Sequence, residues 1–178
     1  GADGSRFTLV GPTSTATVSL ALPGLHNALD AAGALALVGE LGLDVVAAAS
    51  GLADFGGVAR RFERKGSAAG VSVVDDYAHL PTEVRAALAA GASGGYRRVV
   101  AVFQPHRYSR TQALWEEFGD SFADADLLVL TDIYPAGEEP RPGVTAKLLV
   151  DATLDRHPRR ALAWMPTLDD VVSYLSGV

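Results

Sequence analysis

Side chains able to do chemistry gather in three short stretches of this 178-residue sequence. They are Asp75-Asp76-Tyr77-Ala78-His79-Leu80-Pro81-Thr82-Glu83, Gln104-Pro105-His106-Arg107-Tyr108-Ser109-Arg110 and Thr131-Asp132-Ile133-Tyr134-Pro135-Ala136-Gly137-Glu138. Arg107 and Arg110 straddle a predicted helix start, where backbone N–H groups and the positive end of the helix dipole favour an anion. Two guanidiniums there suit bidentate binding of a carboxylate or a phosphate. The competing reading pairs one of them with Glu116 or Glu117, since acids abound between Thr111 and Pro140 and no base lies there. Asp75-Asp76 suits a turn, a helix cap, or a ribose or metal site. Adjacent strand residues point to opposite faces, so one of the two is expected to face a cleft. His79 suits acid–base work or hydrogen bonding, or is a plain loop histidine. No Ser–His–Asp signature, Walker-type phosphate loop or Rossmann glycine fingerprint occurs. The sequence therefore holds the flank of a nucleotide site at most.

The elements that must position these residues are legible. Arg6-Phe7-Thr8-Leu9-Val10 and Thr15 to Leu22 alternate in polarity, with turn chemistry at Gly11-Pro12-Thr13-Ser14 between them. That predicts a β-hairpin, which needs a packing partner. A helix is predicted from about Asn27 to Leu41, with Leu29, Ala32, Leu35, Ala36 and Gly39 on its apolar stripe and Gly42 as its stop. A second helix is predicted from Asp44, as N-cap, to Ala53. Phe55 to Gly70, with Gly56-Gly57 as a hinge and then Arg60, Arg61, Arg64 and Lys65, reads as a domain junction followed by a strand edge. From Val71 on, strand and helix alternate four times. The strands are Val71–Val74, Val99–Phe103, Leu127–Leu130 and Arg160–Trp164. The helices start at Pro81, Ser109, Val144 and Leu168. Ser109 is the expected N-cap of its helix, with Gln112 reaching back, and Leu114, Phe118 and Phe122 form its stripe. Short apolar strands of this kind suit a mostly parallel sheet covered on both faces, whose ligands bind outside the carboxyl ends of the strands. All three chemical stretches follow such ends.

Composition narrows the function classes. Apolar residues make up 48% and charged residues 20%, with net charge −6, which excludes a disordered tail and argues against general nucleic-acid binding. The absence of cysteine excludes disulfide scaffolds, zinc ribbons and Cys nucleophiles. No apolar run approaches the roughly 20 residues of a membrane helix, so a cytoplasmic α/β protein is expected. The chain opens Gly1-Ala2-Asp3-Gly4 rather than with methionine, which suggests a piece of something longer.

In order and spacing, five stretches resemble the Mur ligases: Pro23-Gly24-Leu25-His26-Asn27, Phe55 to Glu63, Asp75 to Glu83, Phe103 to Thr111 and Tyr134 to Glu138. The last two resemble the branch that adds the first amino acid, L-alanine. The resemblance implies ATP- and Mg2+-dependent activation of the carboxylate of UDP-N-acetylmuramate as an acyl phosphate, attacked by the amino group of L-alanine during peptidoglycan synthesis. It also implies that residues 1–57 are the end of a central ATPase domain and that residues 58–178 are a C-terminal Rossmann-like domain. The N-terminal domains, the phosphate-loop lysine and the Mg2+ ligands would lie outside the chain. The chain alone is then expected to be inactive, with an apolar patch at Val45, Val46 and Leu52 where the missing sheet would sit. The implied roles are His26 and Asn27 at the adenine side, Arg61 at the ATP phosphates and Asp76 at the ribose. Tyr77 and His79 would line the amino-acid and acyl-phosphate site, and Arg107 and Arg110 would grip substrate carboxylate or phosphate. Two positions depart from the family pattern: Asp30 replaces an Asn, and Leu80 replaces a second His. The alternatives are the peptide-recycling Mur ligase and a stand-alone, non-catalytic binding module for nucleotide or UDP-sugar.

Overall fold

A computed structural model describes residues 4–12 and 14–177; Thr13 of the expected hairpin turn lies outside them. The chain forms two compact units, residues 1–78 with 89–96, and residues 79–88 with 97–178.

In the first unit, β1 (Ser5–Val10) pairs antiparallel with β2 (Thr15–Leu20), Ser5 opposite Leu20 and Val10 opposite Thr15. β2 alternates exposed and buried, so Ala16, Val18 and Leu20 share the inner face. That face packs on α1 (Leu25–Glu40) and α2 (Val45–Gly51) through Ala31, Leu35 and Ala49, which supplies the partner the hairpin needs. Gly42 ends α1 as expected: at φ 72° it donates to Gly39 O while Leu43 N–H donates to Val38 O, a Schellman closure. Asp44 caps α2, its Oδ1 accepting from Val46 and Ala47 N–H. A 3-10 turn, Leu52–Asp54, follows.

The expected apolar stripe of α1 is wrong in detail. Ala31 and Leu35 are buried, while Leu29 is 62% exposed and Ala36 and Gly39 are exposed. A two-stranded ribbon is narrow and covers only a strip of the helix. The expected patch shifts for the same reason. Val46 is exposed, but Val45 and Leu52 pack against the hairpin core, and Leu29, Leu37, Leu41 and Leu43 lie open instead.

The junction holds a full hairpin rather than a strand edge. β3 (Glu63–Ala68) pairs antiparallel with β4 (Val71–Asp75). Ala69 (φ 48°) and Gly70 (φ 79°) form its two-residue loop, both in the left-handed region that such tight turns require. This corrects the reading of Val71–Val74 as the first parallel strand. β4 makes its ladder with β3 and leaves Val71 and Val73 exposed. α3 spans Pro81–Ser93, with Pro81 pre-set for a first turn.

The second unit carries the parallel sheet, in the order β5 (Val100–Phe103), β6 (Leu127–Leu130), β7 (Leu162–Trp164). This is the expected α/β architecture. β6 is central and buried throughout. β5 was expected to be buried but lies at the sheet edge, and Val100 and Val102 remain 39% and 46% exposed. α4 (Tyr108–Phe118), α5 (Lys147–Arg156) and α6 (Leu168–Leu175) complete the unit. Phe103, Phe118 and Phe122 form an aromatic core with centroids 5.3–6.1 Å apart. A Cβ at Gly119 would stand 2.8 Å from Ala152 O, so glycine lets α4 approach α5 closely.

Candidate functional site

In the second unit the chemistry gathers at the carboxyl ends of β5 and β6. Beyond the ladder, Tyr134 N–H donates to Pro105 O at 2.8 Å and Arg107 N–H donates to Tyr134 O at 2.9 Å. These bonds set His106 opposite Tyr134, and the rings stack 5.6 Å apart at 29°. Arg107 takes φ 72° as the residue before α4. Arg110, one turn in, donates from Nη1 to His106 Nδ1 at 3.0 Å and to His106 O at 3.1 Å. Its partner is therefore His106 rather than Glu116 or Glu117. An arginine can only donate, so Nδ1 accepts and the neutral ring carries its proton on Nε2. Burial, then the charges of Arg110 and Arg107, push the His106 pKa below its ordinary value and keep the ring neutral. His79 sits 6.2 Å from it, centroid to centroid, with Nδ1 3.5 Å from Glu83 Oε2. Glu83 also accepts the N–H groups of His79 and Leu80 at 2.9 and 3.1 Å, capping α3.

The start of α4 corrects the capping expectation. Ser109 is the second helical residue, and Arg107 stands at the cap position without a side-chain capping bond. Glu138 supplies the anion. One of its oxygens accepts Ser109 N–H at 2.8 Å and the other accepts Ser109 Oγ–H at 2.5 Å. Gln112 turns outward and accepts from Arg141 at 2.7 Å. The two bonds from Ser109 hold the Glu138 carboxyl below the usual carboxylate range. The helix end is thus already met by an internal carboxylate, while Arg107 and Arg110 flank it.

The first unit holds the other predicted residues. Asp75 and Asp76 diverge as strand geometry requires. Asp75 lies 3.9 Å from both Arg60 and Lys65. Asp76 accepts Phe62 N–H and Ala78 N–H at 2.8 and 2.7 Å. Tyr77, 41% exposed, carries the Arg60 guanidinium 4.6 Å above its ring. Arg61 lines a cavity of about 420 Å³ with Leu22, Pro23, Gly57, Val58 and Phe62. Gly57 is required there, because its φ is 91° and a Cβ would meet Leu22 Cδ2 at 2.8 Å. His26 and Asn27 open α1 just past Pro23, where Asn27 Nδ2 donates to Pro23 O at 2.7 Å. The departing residue Asp30 is exposed on α1.

The predicted residues thus fall into two sets: His26, Asn27, Arg61, Asp76 and Tyr77 in one unit, His79, Arg107 and Arg110 in the other. The sequence reading assigned no role to His106, Tyr134, Glu138, Arg60 or Glu63. His106 and Arg110 stand at helical i, i+4 spacing, a usable signal. Glu138 bonds across 29 residues, which no local pattern announces. A second cavity, about 600 Å³, lies at the amino ends of β6 and β7, where Arg160 is tied to Ala123 O and Ala125 O. It is remote from the strand ends that carry the chemistry. Among the described residues, no group of three or more His, Asp or Glu is placed to hold a metal ion, so no step is assigned to a metal held by this chain. No described helix is long and apolar enough to cross a membrane.

Residues 60–177 match the family described as Mur ligase, glutamate ligase domain. The chain belongs to the Mur ligases. It is 48% identical over 161 residues to the UDP-N-acetylmuramate--L-alanine ligase of Geotalea daltonii, covering 90% of this chain and 35% of that one. The solved UDP-N-acetylmuramate-alanine ligase of Thermotoga maritima is similar at 28% identity and TM-score 0.70, over 88% of this chain and 33% of that one. A murein peptide ligase from Psychrobacter arcticus is similar at 26% and TM-score 0.66, over 98% and 36%. The chain spans about a third (35%) of the length of the curated relative it matches. The family resemblance read from the motifs is borne out.

Proposed function

We propose that this chain is the C-terminal part of a cytoplasmic, ATP-dependent ligase that joins L-alanine to UDP-N-acetylmuramate in peptidoglycan synthesis. Residues 1–57 would belong to its central ATPase domain and residues 58–178 to its C-terminal domain. The observation that carries the reading is the set His106, Arg107 and Arg110 at the ends of β5 and β6, in a chain 48% identical to a ligase of that name. The set presents positive charge and, on His106 Nε2, a neutral donor. That chemistry fits a carboxylate or acyl phosphate.

The remaining assignments follow the chemistry of each group. Arg61 meets the ATP phosphates at the first unit's cavity, with His26 and Asn27 on the adenine side and Asp76 toward the ribose. His79, beside His106, faces the amino-acid and acyl-phosphate groups. ATP bound with Mg2+ supplies the phosphoryl group that activates the muramate carboxylate.

The test is coupled ADP release with UDP-N-acetylmuramate. The gene's full product should turn over with L-alanine, and the 178-residue chain alone should not. Turnover with a muramoyl-free tripeptide in place of L-alanine would instead support the peptide-recycling reading. Nucleotide binding without turnover in the full product would support the stand-alone binding module.

A further inference from the structure

Arg60, Arg61 and Phe62 form an unusual piece of backbone. Arg60 has φ 60° and Phe62 has φ 47°. Left-handed backbone is disfavoured for any residue with a side chain, and a bulky one holds it only where its surroundings over-determine it. Here each of the three N–H groups has its own acceptor. Arg60 N–H donates to Glu63 Oε2 at 2.8 Å, Arg61 N–H to Val58 O at 3.1 Å, and Phe62 N–H to Asp76 Oδ2 at 2.8 Å. The first two bonds are local, closing over three residues. The third reaches across 14 residues and ties the turn to the end of β4. Asp76 is itself fixed, because its Oδ1 accepts Ala78 N–H at 2.7 Å while Tyr77 N–H donates to Arg60 O at 2.7 Å. The Phe62 side chain is buried. Arg61 therefore sits between two anchored left-handed residues, on the wall of the 420 Å³ cavity.

We propose that Asp76 is a positioning residue whose carboxylate holds the strained Arg60–Phe62 turn and so fixes Arg61 at that cavity. This role is additional to a contact with ribose: each carboxylate oxygen takes one backbone donor and keeps a second lone pair that a hydroxyl could use. It deepens, and rests on, the reading of Arg61 as the group that meets the ATP phosphates.

Residue-resolved amide exchange on the 178-residue chain tests the anchor. In Asp76→Ala the Phe62 amide should exchange about tenfold faster or more, while the β1–β2 ladder amides keep their protection. If Asp76→Ala loses the whole fold, Asp76→Asn, which keeps one acceptor, carries the same comparison with a smaller change. In the full gene product, Asp76→Ala should raise the KM for ATP about tenfold and leave the KM for L-alanine unchanged. In an Arg61→Ala background it should add clearly less than it does in wild type, because the positioning part of its effect acts through Arg61. Unchanged Phe62 exchange in Asp76→Ala, or unchanged exchange at both Phe62 and Ala78 in Asp76→Asn where the alanine variant does not fold, overturns the proposal. So do full additivity with Arg61→Ala and an effect that vanishes with 2′,3′-dideoxy-ATP, which would put the carboxylate on the ribose. If the wild-type product releases no ADP with UDP-N-acetylmuramate and L-alanine, the ligase reading fails on its own, and the exchange arm still decides for or against the anchor.

Discussion

Each unit builds an arginine site by the same device, and the two differ in what restrains the arginine. In the first unit Asp76 accepts the N–H of Phe62, next to Arg61. In the second, Glu138 accepts the N–H of Ser109, between Arg107 and Arg110. Both carboxylates are hydrogen-bonded to backbone at an arginine's neighbour, which shapes the local chain. The difference lies in the side chains. Arg110 is tied to His106 by two bonds from one nitrogen, one to the ring and one to the backbone carbonyl. Beside Arg61 the backbone itself is held, with left-handed residues on either side. A side-chain tie is sensitive to the exact group used, whereas a backbone anchor is sensitive to whatever holds the turn.

The largest effect should come from breaking the side-chain tie. Arg110→Ala removes the charge and both bonds to His106. In the full gene product, kcat/KM for L-alanine should fall at least about a hundredfold. Arg110→Lys keeps the charge but replaces the fork with a single ammonium, so it should recover only part of the loss. Steady-state kinetics with L-alanine varied at saturating ATP decide this. Full recovery by lysine would mean that charge alone matters and that the His106 tie is incidental.

Much of the fold was legible because its signals are local. Alternation in Thr15–Leu20, the Gly42 stop and the Asp44 cap each depend on a few neighbouring residues, and each stands where it was expected. β6 was legible because a central strand is apolar on both faces. What failed depends on neighbours that composition does not name. β4 reads like β6 in sequence, but it pairs with β3 across a two-residue turn. The α1 stripe was misplaced because helical spacing gives a face, while the width of the partner ribbon decides how much of it is covered. Arg107 and Arg110 were legible as a pair at a helix start, and they stand there in the structure. Glu138 was missed because its target is a backbone group 29 residues away, and Ser109 was misread as a cap for the same reason.

Glu138→Gln probes the second unit's anchor. Glutamine offers one acceptor and an NH2 where two donors converge on the carboxylate, so the start of α4 and the loop around Ala136-Gly137 should loosen together. A fall of a few degrees in the thermal midpoint of the chain is expected, with faster exchange at Ser109. The pH dependence has a definite sign. Bonds from Ser109 lower the folded-state pKa of Glu138 from its ordinary 4.5. The unfolded chain therefore binds the proton first as pH falls, and this contribution is present above about 4.5 and lost on acidification through the lower folded value. Urea midpoints across that window should fall less steeply for Glu138→Gln than for wild type. Parallel curves would show that the Ser109 bonds carry no net stability.

Glu63→Gln should give the smallest effect, and it separates the two anchors by cause. Glu63 also has a lowered pKa, but its largest cause is the Lys65 ammonium, 2.8 Å from Oε1, ahead of the Arg60 N–H. An exposed pair of this kind is screened by salt and contributes little. Glutamine loses the pair yet can still accept Arg60 N–H through its amide oxygen. Its thermal midpoint should therefore sit within about a degree or two of wild type at low salt, and the gap should close in about 0.5 M NaCl. The Glu138→Gln gap should persist in the same salt, because its main partner, Ser109, carries no charge to screen. If both gaps close together, the two carboxylates work by the same long-range electrostatics and the distinction between the units fails. If neither closes, the Arg60 N–H rather than Lys65 is what Glu63 holds, and the first unit's turn rests on two carboxylate anchors instead of one.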